Sequence, residues 1–262
     1  MRRTVALPAF FCLAISSASA VDLKPETVKA FDRYIRAREA QLEQRLQPGN
    51  TFLWVDDRPE RARQARAGQI LIENRGGQGP LEIPGGLIHD WVGAMFIPGV
   101  TLEKTLAVIQ DYDRNKEIYK PEVLASRLVS HHGNDFKVYL RLLKKKVITV
   151  VLDTYYDVRY HPLDASRCYS RSYSTRITEV DNPGKPDERD MPPGKDHGFL
   201  WRLYTYWRFE ERDGGVYFEC EAVSLTRGIP GGLGWLIEPI IQDLPRESLQ
   251  STLREARAAL VK

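Results

Sequence analysis

Arginine, tyrosine and glutamate side chains recur at every second position along the predicted strands in the C-terminal half of this 262-residue chain. Because successive side chains of a strand point to opposite faces, residues two apart share a face. Guanidinium and carboxylate groups bind polar groups through charge-assisted hydrogen bonds, and tyrosine adds a hydroxyl to an apolar ring. The candidate ligand-binding set comprises Tyr139, Arg171, Tyr173, Arg202, Tyr204, Glu221 and Trp235.

Two interpretations of this set stay open. In the first, the tyrosine and arginine side chains face an enclosed space and bind the polar head of an amphipathic molecule, with Glu219 or Glu221 as counter-charge. In the second, they form exposed cross-strand pairs, each worth roughly a few tenths of a kcal/mol. The second interpretation is favoured for most of the set, because an unpaired buried charge is costly.

Catalytic and metal-binding patterns are absent from the sequence. It contains no G-x-S-x-G motif, and its glycine-rich stretch at 76–86 lacks the lysine that a phosphate-binding loop requires. The histidines do not form a metal-ligand spacing; they are His89, His131, His132, His161 and His197. We therefore predict no metal and no cofactor, assign no catalytic residue, and favour a binding protein over an enzyme.

The N-terminus predicts export. Arg2 and Arg3 precede an apolar run at 5–15, and Ala18-Ser19-Ala20 follows, as in a secretory signal peptide. We expect residues 1–20 to be removed and the mature chain to be soluble in the periplasm or outside the cell. No later stretch approaches the ~20 apolar residues of a spanning helix.

The charge balance limits the kinds of partner to be expected, and the cysteine content indicates the state of the thiols. The chain has 38 basic and 35 acidic residues, and this near balance argues against a dedicated nucleic-acid binder. Lys144-Lys145-Lys146 could touch anionic lipid headgroups transiently, although a solvated bend is the commoner reason for such a run. Beyond residue 20 the cysteines are Cys168 and Cys220, which we expect to be free, buried thiols rather than a disulfide.

Hydrophobic periodicity predicts the order of elements. Helices are expected at 25–46 and 56–68, a short strand at 69–73, a strand at 87–97, a helix capped by Thr101, and a short helical piece at 113–121. Further strands are expected at 123–131, 136–143, 147–160, 167–180, 199–211 and 215–227, with an exposed loop at 182–198. A long amphipathic helix ends the chain. Short turns between successive strands favour an antiparallel meander.

The segment Gly228-Ile229-Pro230-Gly231-Gly232-Leu233-Gly234-Trp235-Leu236-Ile237 leads into that last helix. It resembles the end of a START-type lipid-transfer domain, where the last strand turns through a G-x-[IL]-P corner into the C-terminal helix. The resemblance covers about 87–262 and extends to the START-like (SRPBCC) helix-grip superfamily, with its Bet v 1-like and polyketide-cyclase-like members. It implies an α+β fold in which a curved antiparallel sheet wraps around the C-terminal helix. Residues 21–86 form an N-terminal helical extension with short strands.

The resemblance implies a cavity between the sheet and the last helix. We expect an exported protein that encloses a hydrophobic small molecule or lipid there. One alternative is a polyketide cyclase or aromatase, in which Arg171 or Arg202 would meet a tyrosine and a carboxylate inside the cavity. Another is a partner-binding protein with a vestigial cavity, whose contacts lie on the first helix and the loop at 182–198. The oligomeric state is left open.

Overall fold

The structure is a computed structural model that describes residues 23–145, 149–192, 194–228 and 234–261, with side chains of the last helix from Asp243 onward. The predicted signal peptide, residues 229–233 of the glycine-proline corner, Lys146 and the side chain of Trp235 lie outside the described residues. The helices are α1 (Pro25–Gln44), α2 (Pro59–Arg66), α3 (Leu102–Ile109), α4 (Asn115–Ile118) and α5 (Gly234–Leu260), with 3-10 turns at Trp54–Asp57 and Tyr112–Arg114.

The strands form one antiparallel sheet with the spatial order β1-β3-β10-β9-β7-β6-β5-β4. β2 pairs beside β3, and the two-residue β8 pairs with the end of β7. The strands are β1 (Leu71–Asn74), β2 (Leu81–Ile83), β3 (Gly86–Pro98), β4 (Val123–His132), β5 (Asp135–Lys145), β6 (Thr149–Pro162), β7 (Arg167–Asp181), β8 (Arg189–Asp190), β9 (Arg202–Arg212) and β10 (Gly215–Arg227). The predicted meander from β4 to β10 is confirmed, and β10 closes against β3.

Local sequence explains the main turns and caps. The β9–β10 hairpin turns at Asp213 and Gly214, which have φ of 56° and 76° and so adopt the left-handed conformation that a tight hairpin requires. Thr101 caps α3 by accepting a hydrogen bond from the Lys104 backbone N–H (3.2 Å). Both features follow the predicted pattern.

The main hydrophobic core lies between the sheet and the second half of α5. Leu249, Leu253 and Leu260 of that helix are buried against Phe209 and Phe218 of the sheet. We call the face of the sheet that carries this core the inner face. A curved antiparallel sheet against a long C-terminal helix is the helix-grip arrangement that the sequence predicted.

The opposite face, which we call the outer face, is covered over β3, β10 and β9 by the N-terminal segment 23–68. Phe31 and Ile35 of α1 are buried against Val223 and Tyr206. Trp54, in the 3-10 turn that follows α1, is buried in a second cluster on the same face. The N-terminal extension is therefore packed on the sheet, and its strands β1 and β2 pair with β3.

Two local expectations need correction. The strand predicted at 199–211 would place Trp201 on the same face as Leu203, but Trp201 precedes β9 and packs with the outer-face cluster, where its indole N–H donates to Asp196 (3.1 Å). The helix predicted at 56–68 begins at Pro59, because Pro59 fits the first helical turn and the residues before it form a 3-10 turn. None of the helices in the described ranges combines the length and apolarity needed to span a membrane.

Cys168 and Cys220, the cysteines among the described residues, are buried and free. Cys168 lies on β7 and Cys220 on β10, with β9 between them. Two interstrand steps separate the α-carbons by roughly 10 Å, beyond the reach of a disulfide. The expectation of free thiols is confirmed.

Candidate functional site

The inner face carries a set of neighbouring hydroxyl side chains on β6, β7, β9 and β10. The strand register sets Ser172 between Thr205 and Val158, and Ser174 beside Tyr156. We call this set the hydroxyl floor; its members are Tyr156, Ser170, Ser172, Ser174, Thr205 and Ser224. All of its members except Thr205 are buried.

Large apolar side chains border the hydroxyl floor and are not fully covered. Trp91, Leu203 and Trp207 lie on the inner face and are only half-buried, although they pack against the main core. Where the second half of α5 packs, by contrast, Phe209 and Phe218 are completely buried. The described side chains therefore close one end of the inner face and leave accessible apolar and hydroxyl surface at the other.

The hydrogen bonding of the floor is incomplete among the described residues. Ser174 Oγ accepts from the Leu203 backbone N–H (3.0 Å). The buried Tyr156 hydroxyl lies near Thr154, whose own hydroxyl donates to the Leu140 carbonyl (2.8 Å), and it makes no hydrogen bond of acceptable geometry with a described residue. Ser170 Oγ is likewise buried without such a partner. Burial raises the pKa of Tyr156 to about 12, so its hydroxyl stays protonated and can donate or accept.

Charged groups lie at the margins of this surface rather than on it. Lys144 Nζ donates to Glu122 (2.5 Å) and to Ser248 of α5 (2.8 Å). Glu179 accepts from the backbone N–H groups of His197 (3.0 Å) and Phe199 (3.2 Å). Lys144 and Glu179 therefore each have hydrogen-bond partners of their own. The floor itself presents hydroxyl groups, with aromatic side chains at its border.

His89 lies on the inner face near the floor and is buried. Its Nε2 is 3.1 Å from Thr226 Oγ1, and burial lowers its pKa to about 4. The imidazole is therefore neutral at physiological pH, like the serine and threonine side chains beside it.

The sequence-predicted site residues lie elsewhere. Arg171, Tyr173, Tyr204 and Glu221 are on the outer face, under or beside α1. Arg202 and Tyr139 are on the outer face as well; Arg202 donates to the Trp201 carbonyl (2.8 Å) and Tyr139 to Asp153 (2.6 Å). None of these six faces the space between the sheet and α5, because their strand positions alternate with the hydroxyl floor. Whether they bind a ligand stays a prediction, now for the outer face.

Of the six, Tyr139 forms a cross-strand aromatic pair with Tyr155, as in the second interpretation of the sequence, whereas Glu221 is buried beneath α1. Arg38 of α1 donates to Glu221 through both Nε and Nη2, the second at 2.6 Å, and lies 3.4 Å from Asp90. Tyr34 donates to Asp90 Oδ2 (2.7 Å). The N-terminal helix therefore supplies the partners that these buried carboxylates need.

Further contacts extend the buried network along α1. Glu39 accepts from the hydroxyls of Tyr173 (2.6 Å) and Tyr206 (3.0 Å), and Glu43 pairs with Arg171. Burial, with the nearby charge of Glu221, raises the pKa of Asp90 to about 7. The network is a structural contact between the extension and the sheet.

Glu219 forms a second buried pair on the outer face. It lies opposite Arg208 (3.6 Å) and accepts from the Trp54 backbone N–H (2.7 Å). Burial raises the pKa of Glu219 to about 7, against the opposing effect of Arg208. This pair fastens the 3-10 turn to the sheet as the first network fastens α1.

Sequence reasoning missed the hydroxyl floor, although its signal was present. Along β7, Ser170, Ser172 and Ser174 alternate with Arg171 and Tyr173. The bulky polar residues attracted attention, and the serines between them are the ones that face inward. Inward-facing positions in the middle of a long strand usually hold apolar residues. Serines at every second position of β7 could therefore have indicated a polar patch on the inner face.

A surface cleft of about 390 Å³ lies between α2 and the β9–β10 hairpin. Four of its charged side chains form pairs within the cleft, Arg212 with Asp56 (2.6 Å) and Arg66 with Asp213 (3.3 Å), and Arg63 lines it as well.

Comparison with known proteins finds similarity in three-dimensional structure only. No family model matches the sequence, and no curated protein matches it. A STAR-related lipid transfer protein from Xanthomonas axonopodis is 18% identical with a TM-score of 0.47, covering 71% of this chain and 98% of that one. Human STARD10 is 13% identical with a TM-score of 0.45, covering 83% and 84%.

A Streptomyces aromatase/cyclase, Zhui, is 11% identical with a TM-score of 0.45, covering 66% of this chain and 92% of its own. The structures found thus include both a lipid-transfer protein and a cyclase. At these identities the similarity is one of fold alone.

Proposed function

We propose that this protein binds a hydrophobic or amphipathic molecule between the inner face of the sheet and the first half of α5. The observation that carries the proposal is the half-buried aromatic and hydroxyl surface around Trp91, Leu203, Thr205 and Trp207, on a face that a long helix crosses. An apolar body would lie against the rings, and the hydroxyl floor would orient its polar end.

Burial of hydrocarbon supplies enough free energy for this role. Enclosing ~400 Å² of apolar ligand surface at ~25 cal/mol/Å² contributes on the order of 10 kcal/mol before the costs of binding are subtracted. The hydroxyls then orient the polar end of the ligand and contribute little of the affinity, since one hydrogen bond contributes about 1 kcal/mol net.

The alternatives have less support from the described residues. A cyclase would be favoured by Arg171 or Arg202 inside the cavity, and both lie on the outer face. A partner-binding role would be favoured by an exposed apolar stripe on α1, and Phe31, Ile35 and Leu42 of that helix are buried against the sheet.

We propose further that the protein works outside the cytoplasm. The support is the sequence of residues 1–20, with its basic start, apolar run and small-residue end. N-terminal sequencing of the chain purified from its own cell should begin at Val21. A chain that starts at Met1 and stays in the cytoplasm would contradict export but not ligand binding.

Native mass spectrometry of the purified mature chain, followed by organic extraction, tests the binding function. We expect a stoichiometric non-covalent mass that is lost in the variant Ala222→Phe, because Ala222 lies on the inner face between Trp91 and Thr205 and a phenyl ring would fill the space. The matched control is Ala125→Phe on the outer face of β4, which should keep the mass. An apo mass that stays unchanged after incubation with a panel of lipids would overturn the proposal.

A further inference from the structure

The chemistry of the inner face restricts the ligand further, and the restriction rests on the proposed function. The hydroxyl floor offers oxygens that both donate and accept hydrogen bonds, and two of them, Tyr156 Oη and Ser170 Oγ, have no partner among the described residues. Both side chains are more than nine-tenths buried. A buried hydroxyl without a partner loses the hydrogen bonds it would make in water, so a ligand oxygen that reached it would recover them.

The described residues of the hydroxyl floor and its apolar border carry no positive charge. Lys144, at an inner-face position of β5, is engaged by Glu122 and Ser248, and Lys146 lies outside the described residues. The inward-facing positions of β7 and β9 hold serine, threonine, leucine and tryptophan next to the floor, while Arg171, Arg202 and Arg208 face outward.

The segment of α5 and its corner whose side chains are not described does not change this balance. Residues 229–242 contain no lysine, arginine or histidine, and their single ionisable side chain is the acidic Glu238. Whatever positions these side chains take, they add no cation. An enclosed phosphate or carboxylate would therefore be desolvated without a counter-charge, which costs far more than hydroxyl contacts return.

We infer that the site takes an amphipathic molecule whose polar end is uncharged, such as an alcohol, ester or ketone, and that it discriminates against the anionic form of the same lipid. The ligand oxygen would accept from, or donate to, the Tyr156 hydroxyl and the neighbouring serines of β7. This selectivity arises because the fold sends the arginines of β7 and β9 to the outer face.

Matched pairs of lipids that differ in charge test the inference on the delipidated mature chain. Dioctanoylglycerol is compared with dioctanoyl phosphatidate, and monopalmitoylglycerol with palmitate at pH 8, by titration calorimetry and tryptophan fluorescence. We expect each neutral lipid to bind at least about tenfold more tightly than its anionic partner. Equal or tighter binding of the anionic lipids would overturn the inference and leave the proposed function standing. If no lipid binds and extraction yields no ligand, both are wrong.

Adjacent tyrosines on β6 provide a matched pair of variants. Tyr156→Phe removes the inward hydroxyl, and Tyr155→Phe removes a hydroxyl on the outer face, where the tilted rings of Tyr155 and Tyr139 pack together with 5.1 Å between their centroids. We expect Tyr156→Phe to weaken dioctanoylglycerol binding about 3- to 10-fold, as for one lost hydrogen bond, and Tyr155→Phe to leave it unchanged. The unfolding midpoint of apo Tyr156→Phe should not fall, because its hydroxyl has no described partner. Equal binding by both variants would contradict a role for the floor.

Discussion

The two faces of the sheet bury different kinds of polar group: paired ionisable side chains on the outer face and neutral hydroxyls on the inner face. On the outer face, the ionisable side chains of Glu221, Asp90 and Arg38 are buried, each with a partner contributed by another element. On the inner face, Ser172 and Thr205 are neutral and lie beside each other on β7 and β9. The same strands supply both sets at alternating positions.

The difference shows what each face can accommodate. A buried charge is tolerated when its partner is part of the fold, and the N-terminal segment provides that partner permanently. A surface that must receive a ligand is better left neutral, because an unpaired charge would be costly whenever the site was empty. The outer face is thus a structural contact built from paired charges, although Asp90 Oδ1 and Arg208 Nε lack a hydrogen-bond partner among the described residues. The inner face instead presents neutral hydroxyls, of which Tyr156 Oη and Ser170 Oγ lack such a partner.

The largest effect should come from breaking the charge network on the outer face. Arg38→Met leaves Glu221 and Asp90 buried without their cation, and we expect a loss of about 3–5 kcal/mol in the free energy of unfolding. Arg36→Met, two residues away on the exposed side of α1, should change it by less than about 0.5 kcal/mol. Urea denaturation measures both. Equal values for the two variants would show that the network is not a structural contact.

A somewhat smaller loss should follow from disturbing the closed end of the inner face. A β-carbon at Gly93 would lie 2.6 Å from Leu253 Cδ1 and 2.7 Å from Ile72 Cδ1, so Gly93→Ala should force these packed side chains out of their present positions. We expect a cost of about 1–3 kcal/mol by thermal or urea unfolding. Gly79→Ala, where a β-carbon would have no heavy atom within 4 Å, is the control. A harmless Gly93→Ala would mean that this contact is loose.

The outer face should also make stability depend on pH. Burial raises the pKa of Glu219 and Asp90 to about 7 from ordinary values near 4. Between those values the folded state binds more protons than the unfolded state. The stabilisation is therefore complete below about pH 4 and is lost as the pH rises through about 7. His89 on the inner face, with its pKa lowered to about 4, acts in the opposite sense below pH 6.5.

Between pH 6.5 and 8, the effect of Glu219 and Asp90 on stability can therefore be measured without the opposing effect of His89. Stability should fall with rising pH there, and Glu219→Gln should reduce the slope by at most about 1.4 kcal/mol per pH unit, the value for one proton. Glu60→Gln, an exposed carboxylate on α2, should keep the slope of the unaltered protein. An unchanged slope in Glu219→Gln would mean that Glu219 is ionised throughout this range.

The smallest effect is expected at the inner-face thiols. Burial raises the pKa of Cys168 to about 11 and that of Cys220 well above its ordinary value. Both thiols should resist maleimide in the folded mature chain and react after unfolding, and a reducing agent should not shift the unfolding midpoint. A midpoint that falls on reduction would point to a disulfide and contradict the strand order.

Much of the fold was predictable because its signals are local. The alternation at 215–227 predicted β10 to the residue, and Thr101 predicted the start of α3. The site was harder to predict, because alternation separates two faces without saying which one meets α5. Arg171 and Ser172 are equally good candidates until the partner of each face is known.

The amino-acid sequence by itself determined the order of the elements, the antiparallel meander and the alternation of charged with hydroxyl residues along β7 and β9. These depend on side-chain periodicity and turn chemistry within short stretches of chain. Only the tertiary structure decided that α1 covers Glu221 and that the second half of α5 packs on the inner face, because these contacts join residues far apart in the chain; Arg38 and Glu221, for example, are 183 positions apart. Such long-range packing depends on how whole faces fit together, and no local pattern encodes it.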